Sequence, residues 1–77
     1  MGVMLKVARN NNGDIDYNTT VSLLMDTIDK FEERGIKHLV VYATTPNSCK
    51  DEDKEYLQRL LDDAVEPLET DIYVKVK

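Results

Sequence analysis

The sequence has little of the chemistry that cross-links or activates many small proteins, because cysteine and histidine each occur once, as Cys49 and His38. A single cysteine excludes a disulfide within the chain. A structural zinc site needs four nitrogen or sulfur ligands, so neither a metal nor any other cofactor is expected. Cys49 follows the predicted strand at residues 36–43 and His38 lies near its start, about 20 Å away at about 3.3 Å per residue, which is too far for a nucleophile and its base.

Long apolar runs are also missing. Residues 1–5 are too few for a secretory signal core, and Lys6 interrupts them. No segment approaches the roughly 20 apolar residues that cross a bilayer. A lone thiol without an apolar leader is typical of a reducing compartment, so we expect a cytoplasmic protein with no membrane partner.

The chain is short and acidic, with 77 residues, 10 Lys and Arg, 15 Asp and Glu, and a net charge of −5. This length predicts a single domain over residues 1–77, whose core stabilises it by only about 3–5 kcal/mol. Self-association is a route to further burial, since disulfides and metals are not expected. The negative charge repels nucleic acid and anionic membranes, so nucleic acid is not an expected partner.

Three segments have the alternation or the apolar run that is typical of strands: residues 3–9, 36–43 and 71–77. Between them, two stretches have apolar residues along one helical face. The first helix is predicted from Tyr17, Val21, Leu24, Met25, Ile28 and Phe31, and the second, at residues 49–66, from Leu57, Leu60, Leu61, Ala64 and Leu68. This β-α-β-α-β order favours parallel strands joined by right-handed crossovers, although it does not determine the strand order.

Local signals predict where the helices begin and end. Asp16 or Asn18 is predicted to cap the first helix, and Gly35 to end it in a left-handed conformation. Ser48 and Asp51 have the spacing of a capping box for the second helix, with aspartate in place of the usual glutamate.

The link between the first strand and the first helix contains a turn signal, Asn12-Gly13, because both residue types tolerate positive φ. We expect a loop that leads directly into the helix. A short return strand over residues 14–17 is the alternative, and the sequence does not decide between the two.

The alternation predicts two unlike faces of the sheet. One face is apolar, with Val3, Leu5, Val7, Leu39, Val41, Ala43, Ile72, Val74 and Val76. The other is mixed, with Met4, Lys6, Ala8, His38, Val40, Tyr42, Tyr73, Lys75 and Lys77. Helices on both sides would need two apolar faces. We therefore predict an α/β two-layer sandwich, a three-stranded, mostly parallel sheet with both helices on one face.

Charge divides between the predicted strands and the rest of the chain. The strands contain five basic residues and a single acid, whereas the other residues include five basic and 14 acidic side chains. Acidic helices on a basic sheet are typical of a two-faced binding module rather than of an enzyme, and no catalytic residues are predicted.

The uncovered face of the sheet is the candidate site. Its predicted interface residues are Met4, Lys6, His38, Val40, Tyr42, Tyr73 and Lys75. Tyrosine and methionine are enriched at protein interfaces, and a second copy would restore the apolar burial that this face lacks, so we expect a homodimer. The alternative is a solvated face covered by the long stems of its lysines.

The same tyrosines and lysines suggest another function, the binding of RNA or single-stranded DNA by base stacking on an open sheet. Two tyrosines without an RNA-recognition signature are common in sheets, and the net charge opposes phosphate. Nucleic-acid binding is therefore the alternative function and not the first prediction.

Two other regions have weaker signals. The loop at residues 44–48 precedes a helix N-terminus, where phosphate often binds, but Asp51, Glu52 and Asp53 fill that turn with negative charge. In the second helix, Glu66 has the spacing to bind a hard cation weakly together with Asp62 or Asp63, but a solvated helix surface explains these carboxylates better.

Together, these features predict a small acidic protein-binding module: an adaptor, an inhibitor or an accessory protein, including a phage-type modulator of host proteins. No family resemblance adds to this prediction. The identity of the protein partner and the biological process do not follow from the residues.

Overall fold

The computed structural model describes residues 2–47, 49–68 and 71–77. It has three strands and two helices in the predicted order: β1 (Gly2–Lys6), α1 (Tyr17–Glu33), β2 (His38–Thr44), α2 (Asp51–Val65) and β3 (Asp71–Val76). All three strands are parallel and form one sheet in the order β1-β2-β3. The predicted α/β fold is confirmed.

The sheet's backbone groups alternate in direction, as they do in any strand. The Val7 amide donates to the Thr44 carbonyl at 3.3 Å, and the Lys77 amide donates to the Ala43 carbonyl at 2.8 Å. In β1 and β3, the odd-numbered residues therefore direct their backbone N–H and C=O groups toward β2. The even-numbered residues direct these groups toward the outer edges of the sheet.

The side chains alternate between the two faces. The buried core consists of Leu5, Val7, Leu24, Ile28, Leu39, Val41, Ala43, Leu57, Leu61 and Val74. Every strand residue in this cluster belongs to the predicted apolar face, and the cluster includes residues of both helices. The strand order β1-β2-β3, with right-handed crossovers, favours both helices on the same side of the sheet. The two-layer arrangement itself stays a prediction.

β1 ends at Lys6 rather than at the predicted Arg9, because the chain turns there into a compact loop. Arg9 forms an isolated antiparallel bridge with Ile15, and the Asp16 amide donates to the Ala8 carbonyl at 2.9 Å. Residues 14–17 thus contribute a single bridge and no full strand. The glycine of the predicted turn, Gly13, has a φ of +84°.

Helix α1 has the predicted signals at both ends. The Asp16 carboxylate accepts the Thr19 amide at 3.1 Å, so Asp16 is the N-cap and Asn18 lies inside the helix. Gly35 follows the C-cap with a φ of +79°, a conformation that favours glycine.

Helix α2 begins two residues later than predicted. Its N-cap is Lys50, which makes no side-chain capping bond, so Asp51 occupies the first helical position and not the third. The predicted capping box at Asp51 is therefore wrong, and its other member, Ser48, lies outside the described residues. The acidic first turn still interacts favourably with the helix dipole.

Candidate interaction surface

The side of the sheet opposite the core, here called the open face, carries all seven predicted interface residues. Its side chains are Met4, Lys6, His38, Val40, Tyr42, Thr44, Asp71, Tyr73, Lys75 and Lys77. The parallel register arranges them in rows across the strands, and the rows differ in chemistry from one end of the sheet to the other.

The two middle rows are the apolar and aromatic part of the open face. Val40 stands between Gly2 and Tyr73, and Tyr42 stands between Met4 and Lys75. Met4 is 71% exposed and Tyr73 is 60% exposed, while Val40 and Tyr42 are half-buried. Exposed apolar and aromatic side chains in adjacent rows are typical of an interaction surface.

The amino end of the open face is a polar pair. His38 pairs with Asp71 in the register, and its Nδ1 lies 3.2 Å from an Asp71 carboxylate oxygen. Both side chains are exposed, so this contact contributes little to stability. His38 therefore lies at the rim of the face rather than at its centre.

The carboxyl end of the open face is basic. Lys77 bonds to Ala43 and Thr45 through its backbone, which places it beside Thr44. Its ammonium nitrogen lies 4.4 Å from the centroid of the Tyr42 ring, a cation–π contact. Sequence reasoning placed Lys77 on this face but left it out of the site, because its contact with Tyr42 depends on the register between β2 and β3.

A second residue that sequence reasoning missed is Gly2. A Cβ atom added to it would lie 3.8 Å from Cε2 of Tyr42, so the tyrosine ring extends over the glycine. A methyl group there would make only an ordinary van der Waals contact with the ring, so the distance shows that Tyr42 lies toward β1. No periodicity in the sequence indicates this, since it arises from the pairing of β1 with β2.

The charges of the open face oppose those of the rest of the chain. Its three lysines face only one acid, Asp71, although the whole chain has a net charge of −5. The lysines cluster at the carboxyl end and the aspartate lies at the amino end. The open face is therefore basic overall and also polarised along the strands.

In the loop that follows β2, the residues that the structure describes, 45–47 and 49–50, do not bring the thiol of Cys49 close to His38. Cys49 is partly buried, and its Sγ lies 3.6 Å from the Lys50 carbonyl, whereas His38 lies at the other end of β2. Nearby, the rings of Tyr17 and Tyr56 meet edge-on at 4.8 Å. Partial burial raises the pKa of the Tyr17 hydroxyl, and the negative charge of Asp53 raises it further. These contacts join the helices and leave no reactive pair.

The carboxylates of α2 do not converge. Asp62 accepts the side-chain amide of Gln58 at 3.0 Å, while Asp63 lies exposed beside it. Within residues 2–47, 49–68 and 71–77, no three His, Cys, Asp or Glu side chains lie close enough to hold a metal ion. The open face remains the best candidate site.

No protein-family model, curated protein or solved structure matches this chain significantly. Among the described residues, neither helix has the length and apolar character needed to span a membrane.

Proposed function

We propose that this chain is a cytoplasmic, non-enzymatic protein-binding module, an adaptor, inhibitor or accessory protein, whose open face is its binding surface. The observation that carries this proposal is the exposure of Met4 and Tyr73 around the half-buried Val40 and Tyr42. Tyrosine and methionine supply large contact areas, and buried aromatic anchors provide much of the binding energy at protein interfaces.

The occupant we propose for the open face is a second copy of the chain. If two sheets stack with their strands antiparallel, the lysine-rich end of each meets the end with Asp71 of the other. The apolar rows with Val40 and Tyr42 then lie against each other at the centre. This orientation pairs unlike charges, whereas a parallel stack would place lysines against lysines.

Light scattering tests this proposal at about 100 μM chain, which corresponds to a free energy of association of about −5.5 kcal/mol. We expect more than the monomer mass for the unmodified chain. Tyr42→Ser and Tyr73→Ser should each weaken association by about 1–2 kcal/mol, because each removes a ring from the centre of the contact.

Tyr56→Ser is the matched control, since Tyr56 is 54% exposed but lies on α2, outside the open face. It should leave association unchanged. Association that is insensitive to both open-face substitutions would remove the open face as the binding surface, and a monomer at this concentration would remove self-association altogether.

The alternative function, binding of single-stranded nucleic acid, has limited support from the same surface. Tyr73 is available for base stacking, but the Tyr42 ring already contacts the Lys77 ammonium. Fluorescence anisotropy with labelled RNA and single-stranded DNA at low salt should show no binding. Binding that falls steeply with added salt would favour the nucleic-acid function instead.

A further inference from the structure

The two outer edges of the sheet differ in how their backbone groups are satisfied. At the β3 edge, the amide of Gln58 reaches from α2 and bonds twice. Its Nε2 donates to the Val74 carbonyl at 2.8 Å, and its Oε1 accepts the Val76 amide at 2.8 Å. Two outward groups of β3, the Val74 carbonyl and the Val76 amide, therefore have partners inside the chain.

At the β1 edge, the corresponding groups have no such partner. The N–H and C=O groups of Met4 and Lys6 point away from β2, and no bond to them occurs within the described part of the chain. Coverage begins at Ala8, whose N–H donates to the Thr20 hydroxyl and whose carbonyl accepts the Asp16 amide. The uncovered stretch is β1 itself, five residues long.

We propose that a second copy of this chain adds to the β1 edge, so that two β1 strands pair antiparallel about a two-fold axis through Met4. In this register Met4 faces its own counterpart, and Gly2 faces Lys6 of the second copy. All of these residues direct their N–H and C=O groups outward. Each facing pair can exchange two bonds, about six in total.

Charge selects this register over its neighbour. With Met4 at the axis, each Lys6 lies opposite Gly2, which has no side chain to oppose it. With Lys6 at the axis, two lysines would face each other directly, which is unfavourable. That register would also require the outward N–H of Ala8, which already donates to Thr20.

The proposed contact goes beyond the binding function of the open face, because it uses backbone atoms in the plane of the sheet. A two-fold axis normal to the sheet leaves both open faces on the same side, so they form one surface on a six-stranded sheet. Edge pairing and face stacking can therefore occur in the same assembly. Edge pairing also covers an exposed strand edge, a feature that natural sheets usually protect.

Met4→Pro tests the proposal, with Met4→Thr as its matched control. Proline at this position removes an outward N–H but no bond to β2, and edge strands tolerate proline when the lost N–H faces outward. Both substitutions remove the methionine side chain from the open face, so any effect there cancels between them. We expect Met4→Pro to weaken edge pairing by about tenfold or more relative to Met4→Thr, measured by sedimentation equilibrium.

Hydrogen exchange on the unmodified chain tests the same contact without a substitution. The amides of Met4 and Lys6 should be protected at high chain concentration and should exchange faster on dilution. Equal exchange at both concentrations, or equal association of Met4→Pro and Met4→Thr, would overturn the proposal. Either result is also expected if the β1 edge pairs with an extended segment of another protein instead of a second copy.

The double substitution Tyr42→Ser/Tyr73→Ser separates this proposal from the open-face proposal. If both contacts form, this variant should keep a dimer through its edges, and adding Met4→Pro should reduce it to a monomer. If the tyrosine substitutions abolish the dimer and Met4→Pro has no effect, edge pairing is wrong and the open-face proposal stands. If Met4→Pro abolishes the dimer and the tyrosine substitutions have no effect, the open-face proposal is wrong and edge pairing stands.

Discussion

Each outer strand of the sheet is tied to a helix by one polar side chain, but the two ties act at different places. Gln58 on α2 bonds to Val74 and Val76, inside β3. Thr20 on α1 accepts the Ala8 amide at 3.1 Å, beyond the last residue of β1. The first tie covers a strand edge, whereas the second fixes only where a strand ends.

The difference follows from the chemistry of the two side chains. A glutamine amide has a donor and an acceptor side by side, as a peptide unit does, so it can take the place of a neighbouring strand over two residues. A threonine hydroxyl is a single small group, and here its proton goes to the Asp16 carbonyl at 2.8 Å. The β3 edge is consequently covered at the Val74 carbonyl and the Val76 amide, whereas, among the described residues, β1 has no such side chain along its edge.

The largest expected effect comes from Gln58→Met, which keeps the length and helix propensity of the side chain and removes both ties to β3. The Val74 carbonyl and the Val76 amide would lose their partners in a half-buried site. We expect a loss of about 2 kcal/mol in the free energy of unfolding, measured with urea.

Arg59→Met is the control for this change, because Arg59 is exposed at the next position of α2. Its effect should stay within about 0.5 kcal/mol. If Gln58→Met is equally mild, the amide does not stabilise the β3 edge and the contrast between the two edges fails.

A smaller effect is expected from Thr20→Val, which has nearly the same shape and leaves one amide, that of Ala8, without its partner. Thr20 is fully buried and Ala8 is half-buried, so water replaces the lost bond only in part. The free energy of unfolding should fall by about 1–2 kcal/mol. Ser22→Ala, which removes an exposed hydroxyl from the same helix, should change it little, and a Thr20 effect larger than that of Gln58 would reverse the comparison.

Much of the fold could be predicted from short-range signals. The alternation of Leu39, Val41 and Ala43 with Val40 and Tyr42 correctly separated the buried positions of β2 from the half-buried ones. The spacing of apolar residues located both helices. These signals depend on one element at a time, so the sequence contains them in full.

The rest depends on how separate elements meet. Gln58 occupies a polar position on an acidic helix, and nothing in its neighbours indicates that it bonds to a strand 16 residues away. The Tyr42–Lys77 and Tyr42–Gly2 contacts likewise require the register between strands. The open face was predictable as a set of residues, and its polarity from Asp71 to the lysines became clear only with the pairing.

The smallest effect distinguishes the N-termini of the two helices, since α1 has a side-chain cap and α2 does not. The Thr19 amide, bonded to the Asp16 carboxylate, lowers the pKa of that carboxyl group below its ordinary value of 3.8. Because the pKa is lower in the folded state, the ionised cap stabilises the fold fully at pH values above the ordinary pKa of 3.8. This stabilisation is lost as the pH falls through the pKa of the folded state. Asp16→Asn keeps a capping oxygen that does not titrate. The unmodified chain should therefore be the more stable of the two at neutral pH, and urea unfolding should show the difference shrinking in acid. A difference that stays constant with pH would mean that the charge of Asp16 contributes nothing to the cap.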